Sequence, residues 1–228
     1  DAAFSLTNND GTDFIAYIFA GGESTAATAR SVNFASGGGG NLDIASGSGN
    51  ADFGYGTGDF TWEAYFNSSN MDSTGGNRYI LNHRVWDGSS NTHHGSLYIN
   101  APSPTVSYTN NSSNTINGSF NIYKSQWYHV AVSRNSNTTR LFINGLLAGS
   151  VTDNHNYPSS QCQIATKNGS YNFEGNISNV RIIKGTGLYT SSFRPPTEPL
   201  TNITNTKLLC CQNSSVTGST VIPSGLSI

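Results

Sequence analysis

Charge is scarce in this chain: Lys, Arg, Asp and Glu together make up 11% of its 228 residues, and the net charge is −2. There is no basic field to gather phosphates and no acidic run to repel them, so nucleic acid is excluded as an expected partner. No apolar run approaches the roughly 20 residues that a helical bilayer span requires. The stretch Phe14 to Ala20 is far too short, and no membrane insertion is expected. Cysteine is equally thin, with three residues, an odd number far below that of a disulfide scaffold. Cys162, Cys210 and Cys211 read as buried free thiols, with a Cys162–Cys210 or Cys162–Cys211 bridge as the alternative. Neighbours on a strand point to opposite faces, so only one of Cys210 and Cys211 can look into the core beside Cys162. Asp1 opens the chain without a charged-then-apolar leader, which suits a processed chain or a piece of a longer one.

Catalytic signatures are missing too. Glycoside hydrolysis needs two carboxylates facing each other across the sugar, whereas the same-face neighbours of Glu63 are Thr61 and Tyr65. Glu63 therefore reads as a strand residue. No nucleophile elbow, H-E-x-x-H or paired C-x-x-C occurs, and the run Gly37 to Gly40 has neither the Lys nor the following helix of a phosphate cradle. No enzyme and no catalytic residue are expected.

What the chain does have is glycine, with 25 residues, and aromatics, with 11 Tyr and 11 Phe. That mixture favours pleated strands joined by tight turns. Apolar residues alternate at period 2 along most of its length. The clearest strand is Asp59 to Phe66, with Phe60, Trp62, Ala64 and Phe66 on one face and Thr61, Glu63 and Tyr65 on the other. Further strands are expected at Phe14 to Phe19, Ser31 to Phe34, Tyr79 to His83, Ser96 to Asn100, Thr105 to Thr109 and Trp127 to Arg134. Others follow at Arg140 to Ile143, Leu146 to Val151, Gln161 to Thr166, Ile177 to Ile183 and Lys207 to Cys211. Asn144-Gly145 is the pair best able to take positive φ at both centres of a type I′ turn. With the polar turn at Asn135 to Thr138, it predicts a three-stranded meander over Trp127 to Val151. The fold class is thus all-β, a two-sheet antiparallel β-sandwich. Residues 1–30 read as an N-terminal strand or extension, 31–213 as the sandwich, and 214–228 as a tail or linker; Ala45 to Gly58 reads as loop. Pro195-Pro196 and Pro199 mark a rigid extended crossover between the strands near Ile183 and Leu208.

Several phrases carry a resemblance. Ser31-Val-Asn-Phe34, Gly58-Asp-Phe-Thr-Trp-Glu-Ala64, Gln126-Trp-Tyr-His-Val-Ala-Val132, Arg140-Leu-Phe-Ile-Asn-Gly145 and Phe173-x-Gly-x-Ile-x-Asn-Val-Arg-Ile182 follow one another as core strands do in laminin G-like, concanavalin A-like jelly-roll domains. The resemblance covers most of Ser31 to Leu209. One departure is Asn179, where many relatives carry an acidic residue, so an ion pair from that position is not carried over. The phrases Ser178 to Tyr189, Phe193 to Thr201 and Asn205 to Gln212 resemble proteins of tailed, particularly marine, bacteriophages. That implies a capsid decoration or tail-fibre module on the virion surface, partnered by other virion proteins, with a homo-oligomer and host-surface glycan as further partners. A secreted carbohydrate-binding or adhesion module is the alternative.

Sugar rings are recognised by exposed aromatics flanked by polar donors and acceptors. Trp86, in the expected loop with Arg84 and Asp87, is the leading candidate. Tyr98, Tyr108 and Tyr128 come next, but each sits on an expected strand and suits core or inter-sheet packing. No cofactor or resident metal is expected. Asp72, Asp87 and Asp153 are calcium candidates that lack the spaced acidic loop of a dedicated site, and turn formation is their competing role. His93-His94 and His83 offer metal-binding chemistry, but the pair sits in a Ser/Asn/Gly-rich stretch that reads as surface loop, and His129 reads as a structural residue bonded to a turn.

Overall fold

The computed structural model describes residues 30–35, 40–45, 49–71, 76–86, 91–101, 103–110, 114–213 and 219–225. The strand expected at Phe14 to Phe19 lies outside them, as does the expected N-terminal extension apart from Arg30. Fourteen strands run in order: β1 (Val32–Phe34), β2 (Leu42–Ile44), β3 (Phe60–Ser68), β4 (Arg78–Trp86), β5 (Asn91–Asn100), β6 (Thr105–Thr109), β7 (Thr115–Asn121), β8 (Trp127–Asn135), β9 (Thr138–Ile143), β10 (Leu146–Thr152), β11 (Gln161–Ile164), β12 (Gly175–Lys184), β13 (Thr206–Cys210) and β14 (Ser219–Val221). One 3₁₀ turn, Ala51–Phe53, interrupts the stretch expected as loop, and Asn50 caps it by accepting from the Asp52 amide.

Two antiparallel sheets result. One has eight strands in the order β10-β9-β8-β3-β12-β13-β14, with β1 also paired to β12; the other has six, in the order β2-β11-β4-β5-β6-β7. The meander forms as expected, since Ser136 and Asn137, and again Asn144 and Gly145, all take positive φ in the two hairpin turns. Gly145 is required twice over. Its φ is +74°, and a Cβ there would fall 2.0 Å from the carbonyl oxygen of Phe193. The strand β14 pairs with β13 and lies inside the segment expected as a tail.

The core sits between the sheets. Phe60, Trp62, Ala64 and Phe66 of β3 are fully buried there, opposite Leu81, Leu97, Ile99 and Val106 of the six-stranded sheet. Trp62 donates from its indole to Tyr55 Oη at 2.9 Å and stacks on His83 at 4.2 Å. Gly95 leaves room for that indole, because a Cβ would lie 2.5 Å from Trp62 Cη2. At one end of the sandwich, Tyr108 and Tyr157 share a 2.7 Å hydroxyl contact, and Tyr157 donates to Asp153 at 2.6 Å. His83 is therefore a core residue. Burial leads the effects that push its pKa down to about 3.

All three cysteines are free and buried. Cys210 and Cys211 both reach the core cluster, unlike the alternation expected of a strand. β13 ends at Cys210, and Cys211 turns to a φ of +65°, which releases it from the pleat. Asn179 also has positive φ, a conformation that asparagine tolerates, and its Oδ1 accepts from the Leu200 amide at 2.7 Å.

Candidate functional site

Over β3 and β8 the outer face of the eight-stranded sheet is covered by its own chain. Residues 185–205 leave β12, cross β3 and β8, and return to β13 as a strap. Thr61 Oγ1 donates to the Thr186 carbonyl, Phe193 donates its amide to Gly145 at 2.9 Å, and Tyr65 Oη donates to the Pro196 carbonyl. Tyr189 and Phe193 stack at 3.7 Å and pack edge-on to Phe142. Beneath them Glu63 has no exposed surface. Its Oε1 accepts from Arg181 Nη2 at 2.6 Å and Nε at 2.8 Å, while Oε2 accepts from Tyr189 Oη at 2.9 Å and lies 3.2 Å from His129 Nε2. Burial works to raise the pKa of this carboxyl, but the hydrogen bonds and charges of His129 and Arg181 outweigh it and hold the group below its ordinary range. His129 meets the hairpin turn through its backbone amide, which donates to Asn144 Oδ1 at 2.9 Å, and its ring goes to Glu63.

The outer face of the six-stranded sheet carries a different arrangement. Alternation places Asn82 and Arg84 of β4, Ser96 and Tyr98 of β5, Ser107 of β6, and Gln161 and Gln163 of β11 on it. A polar ladder crosses the strands at one level. Gln163 Nε2 donates to Asp43 Oδ1 at 2.6 Å, Asn82 Nδ2 to Gln163 Oε1 at 3.0 Å, and Ser96 Oγ to Asn82 Oδ1 at 2.9 Å. His93 Nδ1 lies 3.0 Å from that same Asn82 oxygen, which can only accept, so Nδ1 carries the proton and Nε2 accepts from Asn168 Nδ2 at 3.3 Å. Burial first, then the charges of Lys167 and Arg84, push the His93 pKa down to about 4 and keep this tautomer neutral.

One level along the strands, Arg84 donates from Nε to Gln161 Oε1 and from Nη1 to Asn168 Oδ1, both at 2.8 Å. On the other side of the ladder, Tyr79 stacks on Tyr98 at 5.2 Å, Lys167 Nζ lies 5.2 Å over the Tyr79 ring, and the 51% exposed Tyr171 packs against Tyr79. Tyr79, Asn82, Ser96, Gln161, Gln163 and His93 are buried, so Arg84, Tyr98, Lys167, Asn168 and Tyr171 are the groups of this arrangement that reach solvent, held in place by the buried ladder.

Of the residues singled out from the sequence, the structure brings Arg84 and Tyr98 onto this one face. Arg84 and Trp86 belong to β4 and not to a loop; Trp86 closes the strand opposite Asn91. Asp87 and Asp72 lie outside the described residues. Asp153 is remote, at the sandwich end. Its carboxylate accepts from Tyr157, Thr139, Asn110 and the His155 amide, and these bonds outweigh burial to hold its pKa below the ordinary range. His93 and His94 lie on β5, correcting the surface-loop reading. An irregularity in register near Arg84 turns them apart, His93 to the ladder and His94 Nδ1 to within 3.1 Å of His155 Nε2. Among the described residues no three His, Cys, Asp or Glu side chains converge on a point suited to a metal. No helix among them is long and apolar enough to cross a membrane.

Sequence reasoning missed Lys167, Asn168 and Tyr171. They follow β11 in a polar turn, and only the pairing of β11 with β4 carries that turn over the face. The polar alternation of Gln161 and Gln163 was the available signal for the ladder.

No curated protein sequence matches the chain. Among solved structures, the Ruminococcus gnavus IT-sialidase CBM40 superposes with a TM-score of 0.56 at 15% identity, over 70% of this chain and 92% of that one. The same CBM40 bound to alpha2,3 sialyllactose gives 0.55 at 16% identity, over the same shares of the two chains. A heptameric SAP-like pentraxin from Limulus polyphemus gives 0.47 at 15% identity, over 75% of this chain and 76% of that one. Residues 36–186 match the Laminin_G_3 model, so this two-sheet antiparallel sandwich belongs to the concanavalin A-like lectin/glucanases superfamily.

Proposed function

We propose that the chain is a non-enzymatic carbohydrate-binding module whose ligand lies on the outer face of the six-stranded sheet. The observation that carries this reading is that Tyr98 and Tyr171, both braced on the buried Tyr79, share one accessible face with Arg84, which the buried polar ladder holds in place. The accessible rings of Tyr98 and Tyr171 suit the apolar faces of pyranose rings, and the Arg84 guanidinium and Asn168 amide, held by the buried ladder beneath them, suit their hydroxyls without a large ordering cost. Support also comes from the fold shared with a sialidase CBM40 that binds alpha2,3 sialyllactose. The non-enzymatic part rests on Glu63, whose carboxylate is wholly enclosed and already engaged by Arg181, His129 and Tyr189.

A glycan array with the isolated protein tests this reading. Saturable binding that falls at least tenfold in Tyr98→Ala, with the melting temperature retained, is the expected result. Absence of binding, or measurable turnover of an arrayed glycan, overturns it. A second reading concerns the setting: the phrases Ser178 to Tyr189 and Asn205 to Gln212 favour a virion surface over a secreted location. Mass spectrometry of purified particles checks it, and absence of the protein from them removes the virion setting while leaving the sugar face intact.

A further inference from the structure

We propose that the ligand of this face is an anionic saccharide, a chain of pyranose rings bearing carboxylate or sulfate groups, held by Arg84 and Lys167. The proposal rests on the reading of the face as a sugar site and adds the chemical class of the sugar. Among the described residues, two cations stand there without a counter-ion. The described ion pairs lie elsewhere, at Glu63 with His129 and Arg181 and at Asp52 with Lys207. Arg84 is held by Gln161 and Asn168, both neutral, and Lys167 by the ring and hydroxyl of Tyr79.

The guanidinium is also pre-aimed. Of its five N–H groups, two are spent on Gln161 and Asn168. The remainder suit a planar carboxylate or a sulfate, and such charge-assisted bonds are roughly twice as strong as neutral ones. Both cations act on a single spot, since each contributes to the depressed pKa of the intervening His93. His93 is neutral and adds no third positive charge. Asp43 is the carboxylate on the ladder; it stands two strands from Arg84, roughly 10 Å away, and accepts from Gln163. From Tyr79 to Arg84 the face extends for roughly 15 Å. A chain of rings lying on Tyr98 and Tyr171 therefore reaches the guanidinium.

Calorimetric titration with size-matched oligosaccharides tests the proposal. Oligogalacturonate supplies carboxylates, a chondroitin sulfate oligosaccharide supplies sulfate as well, and malto- and cello-oligosaccharides are neutral. At least one acidic series is expected to bind about tenfold or more tighter than the neutral ones, the increment of one charge-assisted bond. Which acidic series binds tighter separates carboxylate from sulfate. Affinity should weaken as salt rises, and Arg84→Gln and Lys167→Gln should each lose about tenfold while the melting temperature holds. Neutral oligosaccharides binding as tightly as acidic ones, or an unchanged affinity in the Arg84→Gln, Lys167→Gln double variant, overturns this proposal and leaves the sugar face standing. Binding of neither class removes both.

Discussion

Replacing Glu63 with alanine tests the account of the strap most directly. The carboxylate is the only counter-charge described for Arg181, whose side chain is itself 7% exposed. Removing one member of a buried pair strands the other, at a cost of about 3–5 kcal/mol. In a domain of this size each kcal/mol lowers the melting temperature by about 2–4 °C, so Glu63→Ala should melt about 6–20 °C below the parent. The double variant Glu63→Gln, Arg181→Met removes both charges and should recover most of that loss, because a buried ion pair can often be exchanged for neutral packing at little net cost. Scanning calorimetry on the three proteins measures both effects. Limited proteolysis should find new cleavage within residues 186–200 in the single variant, where the Tyr189 and Arg181 anchors of the strap have lost their partner. A melting temperature for Glu63→Ala within about 3 °C of the parent would refute the reasoning, since a desolvated cation cannot be left alone so cheaply.

Acid should weaken the fold earlier than carboxylate titration alone allows. His83 and His93 are held near 3 and 4, below the ordinary 6.5. Between those values the unfolded chain takes up protons that the folded one refuses, so stability is full above 6.5 and declines as pH falls through the window. The slope is up to about 1.4 kcal/mol per pH unit for each histidine. Urea titrations across that range should show the decline, and His83→Gln should flatten it. Glu63, Asp52 and Asp153 have lowered pKa values, so their share is present above the ordinary carboxylate range and disappears only at lower pH. Gly95→Ala should cost about 1–3 kcal/mol by overpacking against Trp62; an unshifted melting temperature would contradict the close approach. Trp86→Ala is expected to keep the fold and weaken glycan binding, and unchanged binding would take Trp86 out of the site.

Strand β3 was legible because its inward face repeats large apolar residues at period 2, and the meander because Asn144-Gly145 has few conformational options. Strand β7 was not legible. It turns Ile116 and Gly118 inward, and a Cβ at Gly118 would lie 2.5 Å from the Val106 carbonyl oxygen, so half of its inward signal is a missing side chain. β2 and β14 are three residues each, too short for a period to register. The outward set of β3 looked like a solvent face yet is buried, because nothing in Thr61, Glu63 or Tyr65 announces a strap arriving more than a hundred residues later. At the site, Arg84 and Tyr98 stood out by chemistry. Lys167 and Tyr171 are ordinary turn residues until strand pairing lays them beside Tyr79.

Because 185–205 joins two strands that are already paired with each other, it forms a closed flap. Peeling it away breaks no rung between β12 and β13, so it is free to open as a local unit well below the energy of global unfolding. Water then wets Glu63 and Arg181 while Trp62 stays dry on the far side of the same sheet. The strap is thus a hatch over the Glu63–Arg181 pair, and its opening leaves the aromatic hall on the other side of the sheet closed.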